Sequence, residues 1–402
     1  MFFLLLLVHL FSASRAQSSS SNITIGSTLY TNSSAPSFWP SPFGHFAFGF
    51  YPSGNRFTVG TWLVGTPTNT IIWSALRKVP EISSGATLNF SMDGKLLLHR
   101  AIGEVQAIIE NNPKASYASL LDSGKFALYD SNSELVWNSF DHPTDTLLVG
   151  QKLVQDSSLY SSVSATDQSI GKFKLSMQTD GNLNAFPVES IPEGKYVYWS
   201  TDIRGAGGNV SLNLAQDGLN VSTLFRATFD VDGVLRLYQH QIGTNGSLNS
   251  KPSWEMLVDE DRFLVKGACG LNSYCTLNRA DITFDFVDGK QPQKGCLLNF
   301  TMENDCSESK KNNEEYYIYS SLEHTSWERT EFDGKESVSE AACLKDCNRA
   351  VAEFRNQLCF KHKLPLRYGR KTSKTVSKTL IKNRIGGGNL QKREMSSVKT
   401  VR

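Results

Sequence analysis

Short runs of alternating apolar and polar residues, each closed by Gly, Pro, Asn or Asp, fill the chain from about Thr24 onward. Phe46-Ala47-Phe48-Gly49-Phe50-Tyr51 stops at Pro52, and Ile71-Ile72-Trp73 follows Pro67-Thr68-Asn69. This period of two, punctuated by turn formers, predicts half-buried strands joined by hairpins, and no helical period runs through it. The fold class expected is all-β. One unit recurs: an apolar residue, Asp-Gly or Asp-Ser-Gly, then alternating apolar residues. It appears at Asp93-Gly94, Asp122-Ser123-Gly124, Asp180-Gly181 and Asp232-Gly233, with a weaker copy at Asp217-Gly218. Glycine supplies the positive φ that a tight hairpin needs, and the alternation behind it makes a strand with one buried face. Copies on both sides of Gly150 predict two tandem domains of one pseudo-symmetric fold.

The termini and cysteines set the compartment. Met1–Leu10 is apolar, with Ser14 and Ala16 at −3 and −1 of a cut before Gln17, the form of a secretory signal over residues 1–16. Ten apolar residues are too few to cross a bilayer. Seven Asn-X-Ser/Thr sequons, at Asn22, Asn32, Asn89, Asn209, Asn220, Asn245 and Asn299, suit a glycosylated, secreted chain. The seven cysteines, Cys269, Cys275, Cys296, Cys306, Cys343, Cys347 and Cys359, all lie in one later region, so the first 268 residues rely on packing and the rest on disulfide candidates. Seven is odd, which leaves at least one thiol free or bridged to another chain. Net charge is +2, but Lys361–Arg402 holds thirteen Lys and Arg against the single acid Glu394. An acidic body with a basic tail is not a nucleic-acid-binding profile. The tail from 371 to 402 lacks core-forming residues and is expected to be disordered.

Longer motifs bring a family into view. The repeats resemble the Gln-x-Asp-x-Asn-x-Val-x-Tyr unit of bulb-type (monocot mannose-binding) lectins. Trp137-Asn138-Ser139-Phe140-Asp141-His142-Pro143-Thr144-Asp145-Thr146-Leu147-Leu148-Val149-Gly150 resembles the signature of plant S-locus-type receptor kinases. Ile72-Trp73-Ser74-Ala75, with Arg77 and Pro80, is similar to their Val-Trp-x-Ala-Asn-Arg-x-x-Pro, with Leu76 in place of Asn. Gly267-Ala268-Cys269-Gly270-Leu271-Asn272-Ser273-Tyr274-Cys275 resembles their EGF-like module. Cys343-Leu344-Lys345-Asp346-Cys347 and Cys359-Phe360-Lys361-His362 resemble the PAN-like module of the lectin receptor kinase branch. The resemblance implies a plant protein with two bulb-lectin β-prism domains (22–150 and 151–260). They would be followed by a degenerate EGF-like segment (261–300) and a PAN-like module (301–370). The EGF-like segment lacks the family's C-x-C, and Arg349 and Ser339 stand where PAN-like cysteines are expected.

For function, the resemblance implies that an Asp, an Asn and a Gln bond vicinal hydroxyls while a Val and a Tyr close the site, all on one strand face. Only Gln178, Asp180 and Asn182 keep the full polar trio, with Asn184 and Phe186 following. Asp93, Asp122 with Tyr129, and Asp232 with Tyr238 are weaker candidates. Lys95 and Lys125 stand at the Asn place of the first two. The seven histidines (9, 45, 99, 142, 240, 324 and 362) show no metal spacing, so no metal or other cofactor is expected. His142 and Asp145 beside Pro143 read as a turn. No nucleophile-base signature and no kinase Gly-rich loop, His-Arg-Asp or Asp-Phe-Gly is present, so no catalytic residue is assigned; Gly386-Gly387-Gly388 reads as a linker. The reading is extracellular recognition of a mannose-type glycan or a protein ligand, as the ectodomain of a lectin receptor kinase or a soluble truncated form. One alternative is a fragment of a membrane receptor Ser/Thr kinase in plant signalling and defence. Another is a non-binding decoy that dimerises, with itself or with full-length receptors.

Overall fold

The computed structural model describes residues 22–257 apart from 33–35, 67–69, 80, 110–113, 189–195, 204–209, 216–221, 244–247 and 249–251. Beyond these it describes 265–267, 273–277, 282–286, 317–328, 335–336, 351–355, 358–362, 366–371 and 376–384. The chain is all-β, with no α-helix among the described residues.

The first unit runs through β1 (Ile23–Thr24), β2 (Thr28–Tyr30), β3 (Phe38–Pro40), β4 (Phe46–Ser53), β5 (Arg56–Leu63) and β6 (Thr70–Ser74). It continues with β7 (Thr87–Phe90), β8 (Leu96–His99), β9 (Val105–Ala107), β10 (Tyr117–Leu120), β11 (Phe126–Tyr129) and β12 (Leu135–Asn138). These form three four-stranded antiparallel sheets, ordered β1-β10-β11-β12, β2-β7-β8-β9 and β3-β4-β5-β6. Strand periodicity accounts for the packing: in β7 and β8 Leu88, Phe90, Leu96 and Leu98 are buried while Thr87, Asn89, Leu97 and His99 are half-exposed. Phe46, Phe48, Phe50, Phe90 and Phe126 fill the core between the sheets, with the Phe48 and Phe126 rings stacked at 3.7 Å. Burying each such ring is worth about 1.5–3 kcal/mol.

The second unit repeats the plan. Its strands are β13 (Thr146–Leu148), β14 (Lys152–Leu153), β15 (Ser158–Ser162), β16 (Ile170–Met177), β17 (Leu183–Pro187), β18 (Trp199–Ser200), β19 (Leu212–Asn213), β20 (Thr223–Phe229), β21 (Leu235–Gln241) and β22 (Ser253–Met256). Their sheets, β13-β20-β21-β22, β14-β19 and β15-β16-β17-β18, follow the strand order of the first unit. A separate core gathers Leu147, Leu153, Leu159, Phe173, Leu175, Met177 and Phe229.

Strand β13 belongs to both cores. Leu147 enters the second and Leu148 the first, because successive side chains point to opposite faces. Leu224 and Ile242 of the second unit also pack on the first core. The signature run 137–150 makes this crossing. Asn138 Oδ1 accepts from the backbone N–H groups of Phe140 and Asp141 and so caps a short 3₁₀ turn, Ser139–Asp141. Trp73 Nε1 donates to the His142 carbonyl at 2.8 Å, and Gln151 Nε2 donates to that of Phe140 at 3.0 Å.

Arg77, from the other family motif, completes the junction. Its guanidinium donates to the carbonyls of Gln168 (2.7 Å), Tyr160 (2.9 Å) and Ser161 (2.9 Å), and to the Ser162 hydroxyl (3.2 Å), all in the second unit. Ser162 in turn donates to Asp145 Oδ2 at 2.7 Å. Burial draws the Arg77 pKa below the usual value, and the nearby Asp145 charge opposes that shift. Leu76 just before it holds φ +58°, the left-handed conformation that asparagine tolerates better and leucine adopts at a cost of about 1 kcal/mol.

The C-terminal region differs from the sequence expectation in one respect. Strands β23 (Ser273–Leu277), β24 (Ile282–Phe286), β25 (Tyr317–Glu323), β26 (Thr325–Ser326), β27 (Lys335–Glu336), β28 (Val351–Arg355), β29 (Leu358–His362), β30 (Gly369–Lys371) and β31 (Lys378–Arg384) form two sheets, β24-β23-β30-β26 and β25-β31-β28-β29-β27. Residues 378–384, expected in a disordered basic tail, are therefore a central strand paired on both sides. Thr379 and Leu380 are buried there. The run's lysines suggested a solvated segment, but strand pairing is made by backbone groups, and the adjacent Thr379 and Leu380 put one buried side chain on each face. Residues 385–402, like the expected signal segment 1–16, lie outside the described residues.

The two hairpin glycines Gly124 and Gly54 both have positive φ (+82° and +60°) but differ in their surroundings. A Cβ at Gly124 would meet Leu148 Cδ1 at 2.5 Å and Phe46 Cε1 at 2.8 Å, whereas at Gly54 it meets nothing within 4 Å. Gly54→Ala is expected to cost about 1 kcal/mol of backbone strain, and Gly124→Ala a further 1–3 kcal/mol, roughly, from overpacking between the two units. Urea unfolding of the two variants measures the difference; equal losses would show that the junction is not tightly packed.

Candidate functional site

Every described repeat folds into the same turn. The first residue's N–H donates to the carbonyl four residues on, in the pairs Ser91–Lys95, Leu121–Lys125, Gln178–Asn182 and Asp230–Val234. The glycine, at φ +79°, +82°, +89° and +78° respectively, donates back to that first residue. The repeat containing Asp217 lies outside the described residues.

What differs is the use of the polar side chains. Asp93 takes the Ser91 hydroxyl at 2.6 Å and pairs with Lys95 Nζ at 3.1 Å, so the residue at the expected Asn place neutralises the carboxylate. Asp122 Oδ1 accepts the Phe43 N–H at 2.8 Å, Lys125 lies over the Phe140 ring at 5.5 Å, and Tyr129 stacks on Tyr117 at 5.0 Å. In the last repeat Arg236 stands where the family pattern has Val. It bonds Asp232 through both terminal nitrogens (2.8 and 2.6 Å) and Asp230 at 2.6 Å. Tyr238 donates to Asp230 Oδ2 at 2.7 Å. A bidentate guanidinium therefore occupies the carboxylates that would face vicinal hydroxyls.

The Gln178 repeat keeps its trio together without a basic residue in the pattern. Asp180 accepts the Asn182 N–H and the Asn182 side-chain amide, both at 2.9 Å. Asn182 Oδ1 accepts the Ile203 N–H at 2.8 Å and the residue is 2% exposed, while Asp180 is exposed and Gln178 half-buried. Asn184 Oδ1 is buried without a hydrogen-bond partner. Lys174 Nζ lies 5.7 Å from the Tyr160 ring and 5.5 Å from that of Phe186 on the same sheet.

Residues 70–169 match the family described as D-mannose binding lectin. Over 94% of this chain the sequence is 30% identical to the G-type lectin S-receptor-like serine/threonine-protein kinase LECRK1 of Oryza sativa subsp. japonica, covering 53% of that protein. The chain is similar to the G-type lectin S-receptor-like kinases. Another G-type lectin relative, RLK1 of Arabidopsis thaliana, is 26% identical over 90% of this chain and 50% of its own. The chain thus spans about half the length of the curated relatives it matches. Among solved structures, the two-domain, fetuin-binding Scilla campanulata agglutinin aligns with 60% of this chain and 90% of its own. Its identity is 15% and its TM-score 0.18, too loose an overlay to place any residue.

The remaining candidates divide by position. Asn22 and Asn32 are exposed, whereas Asn89 is half-buried in β7 and donates to Thr28 at 2.9 Å. Asn209, Asn220, Asn245 and Asn299 lie outside the described residues. Cys359 is disulfide-bonded and fully buried. Cys269, Cys296, Cys306, Cys343 and Cys347 lie outside the description, as does the side chain of Cys275. His142 stacks on Trp137 at 5.3 Å and Asp145 accepts from Ser162 and Thr146, so the pair serves the turn.

A buried network beside the last repeat was not legible from the sequence. Arg226 lies 3.7 Å from the centre of the Tyr238 ring and donates through Nε to His240 Nε2 at 3.2 Å. His240 is fully buried and its Nδ1 has no hydrogen-bond partner. Burial, reinforced by the Arg226 charge, pushes its pKa down to about 4. Burial also raises Asp230, although the bonds from Tyr238 and Arg236 pull it back. Strand alternation of Arg226 and Thr228 against Arg236, Tyr238 and His240 was the available signal. Because the unfolded chain takes up the His240 proton first, the stability this histidine contributes is lost as pH falls from about 6.5 to about 4. The loss approaches about 3 kcal/mol. His240→Gln is expected to flatten melting temperature against pH across that window; an unchanged profile would place the acid sensitivity elsewhere.

Proposed function

We propose that the chain is an extracellular recognition module for mannose-type glycans, acting through the Gln178–Asn182 turn of the second unit. The observation that carries this reading is the Asp180–Asn182 pair, a carboxylate and an amide held at 2.9 Å on a turn whose own pattern supplies no cation. Vicinal sugar hydroxyls donate to a carboxylate and accept from an amide N–H, so such a pair matches a diol. The B-type lectin match and the near full-length similarity to G-type lectin receptor kinases support a glycan as the ligand class and the outside of the cell as the place. The relatives are named as serine/threonine-protein kinases. For this chain, attachment to a membrane kinase is a proposal of the same kind, with this region as its ligand-reading part.

A second reading, a non-binding ectodomain that pairs with itself or with related receptors, is favoured by a different observation. Asn182 is buried and its amide is already bonded at both ends. The two readings diverge in one experiment. The processed chain from a secretory host, applied to a glycan array, is expected to bind mannose-bearing glycans. Gln178→Ala/Asp180→Ala is expected to lose about tenfold, the worth of one hydrogen bond to a charged group. A folded wild-type chain that binds no glycan, but that co-purifies with a full-length relative, would replace the first reading with the second.

A further inference from the structure

The face that the second unit turns toward the first carries a buried histidine. In β20, Ala227 and Phe229 enter the second core, so Leu224, Arg226 and Thr228 lie on the opposite face. The strand register sets His240 beside Leu224 and Tyr238 beside Arg226, with Leu148 of β13 on the other side of Arg226. Leu148, Leu224 and Ile242 all join the first core, which puts His240 inside the joint. Arg226 Nε donates to His240 Nε2 at 3.2 Å, so the ring proton is on Nδ1, which is buried with no acceptor. Among the described residues, the charged and titratable groups at this ring are Arg226 on β20 and Tyr238 on β21. The first core meets the same face with apolar side chains. Behind Arg226 stand Asp145 and Asp230, whose charges act on the guanidinium. Both are already engaged: Asp145 also acts on Arg77 and takes the Ser162 and Thr146 hydroxyls, while Asp230 holds Arg236 and Tyr238.

We propose that His240 is an acid-operated latch on the joint, and that a second proton on its ring parts the two units without unfolding either. The proton turns Nε2 from an acceptor into a donor facing Arg226 and sets two cations side by side in a buried place. Water reaches both groups as soon as the units separate, while the β20–β21 ladder and the second core stay formed. Parting the joint is therefore a smaller opening than unfolding the unit. Burial and the Arg226 charge hold the closed ring at a pKa of about 4, against 6.5 for a solvated one. The open joint restores the solvated value, so the open fraction rises as pH falls through this window, on the order of a hundredfold between pH 7 and pH 4. The latch does not depend on the Gln178 turn.

The test places a reporter thiol on each side of this distinction in the processed full chain. Leu224→Cys reads the joint, and Leu175→Cys, fully buried in the second core, reads unfolding of the unit itself. Each is labelled with 4,4′-dithiodipyridine from pH 7 to pH 4, with the modified peptide identified by mass spectrometry. Rates are normalised at each pH to those of the same variant unfolded in urea. Labelling of Leu224→Cys is expected to rise on the order of a hundredfold across this range while Leu175→Cys stays protected. Adding His240→Gln, whose side-chain oxygen keeps an acceptor for Arg226 and takes no proton, is expected to abolish the rise. A parallel rise at both thiols would overturn the latch, because acid would then unfold the unit, and this comparison stands whether or not His240→Gln folds. A rise that survives in folded His240→Gln, or no rise at Leu224→Cys, would overturn it as well.

Discussion

One buried guanidinium, carried by Arg77 in the first unit and spent on carbonyl oxygens of the second, is the contact on which the arrangement of the two prisms depends. Taking a guanidinium out of water is costly unless its donors are matched, and here four bonds of 2.7–3.2 Å meet them. Arginine suits the task because its planar fork reaches several acceptors at once, which a lysine ammonium on a flexible stem does not. Around it, β13 sends Leu147 and Leu148 into different cores, and Trp73 and Gln151 tie down the turn between them. The two motifs that mark the family in the sequence are therefore parts of one joint. Their residue types are explained by packing and hydrogen bonding.

The hairpin repeats show the complementary case, in which scaffold persists and chemistry changes. The turn geometry is the same in all four described copies because a glycine at positive φ is needed to reverse the chain, whatever the strand faces. The side chains on that face are free to diverge. In the Asp93 and Asp232 copies a basic residue stands within the repeat pattern and satisfies the carboxylate internally. Such a residue satisfies the carboxylate with an ion pair while leaving the hairpin turn intact. The pair held by Arg236 is well shielded, its side chain 7% exposed, which makes it a stronger contact than the open Lys95–Asp93 pair.

The division between what the sequence disclosed and what it hid follows from the range of the interactions. Strand alternation and Asp-Gly turns are local, so the all-β class and the repeated hairpins were readable from composition and spacing. The duplication itself was also readable, since the copies share a pattern. Leu76 was visible as a departure from the family motif, but its left-handed backbone explains why asparagine suits that place. Hidden were the contacts made across the junction: nothing near Arg77 in sequence announces Tyr160 or Gln168. Arg236 lay in plain view at an apolar position of the repeat, yet its partner choice needed the third dimension. The strand at 378–384 was obscured because lysine count outweighed the buried Thr379 and Leu380, whereas in the sheet its backbone is paired on both sides.

Hydrogen–deuterium exchange of the intact chain and of Arg77→Lys, read by mass spectrometry on peptides from β4–β5 and β16–β17, tests the joint most directly. If the clamp makes the two prisms one cooperative body, the slowest amides of both strand pairs share a single opening free energy in the wild type. In the variant they separate, with protection reduced in at least one unit by about 2 kcal/mol or more. Unequal protection already present in the wild type, or equal and undiminished protection in Arg77→Lys, would contradict the account.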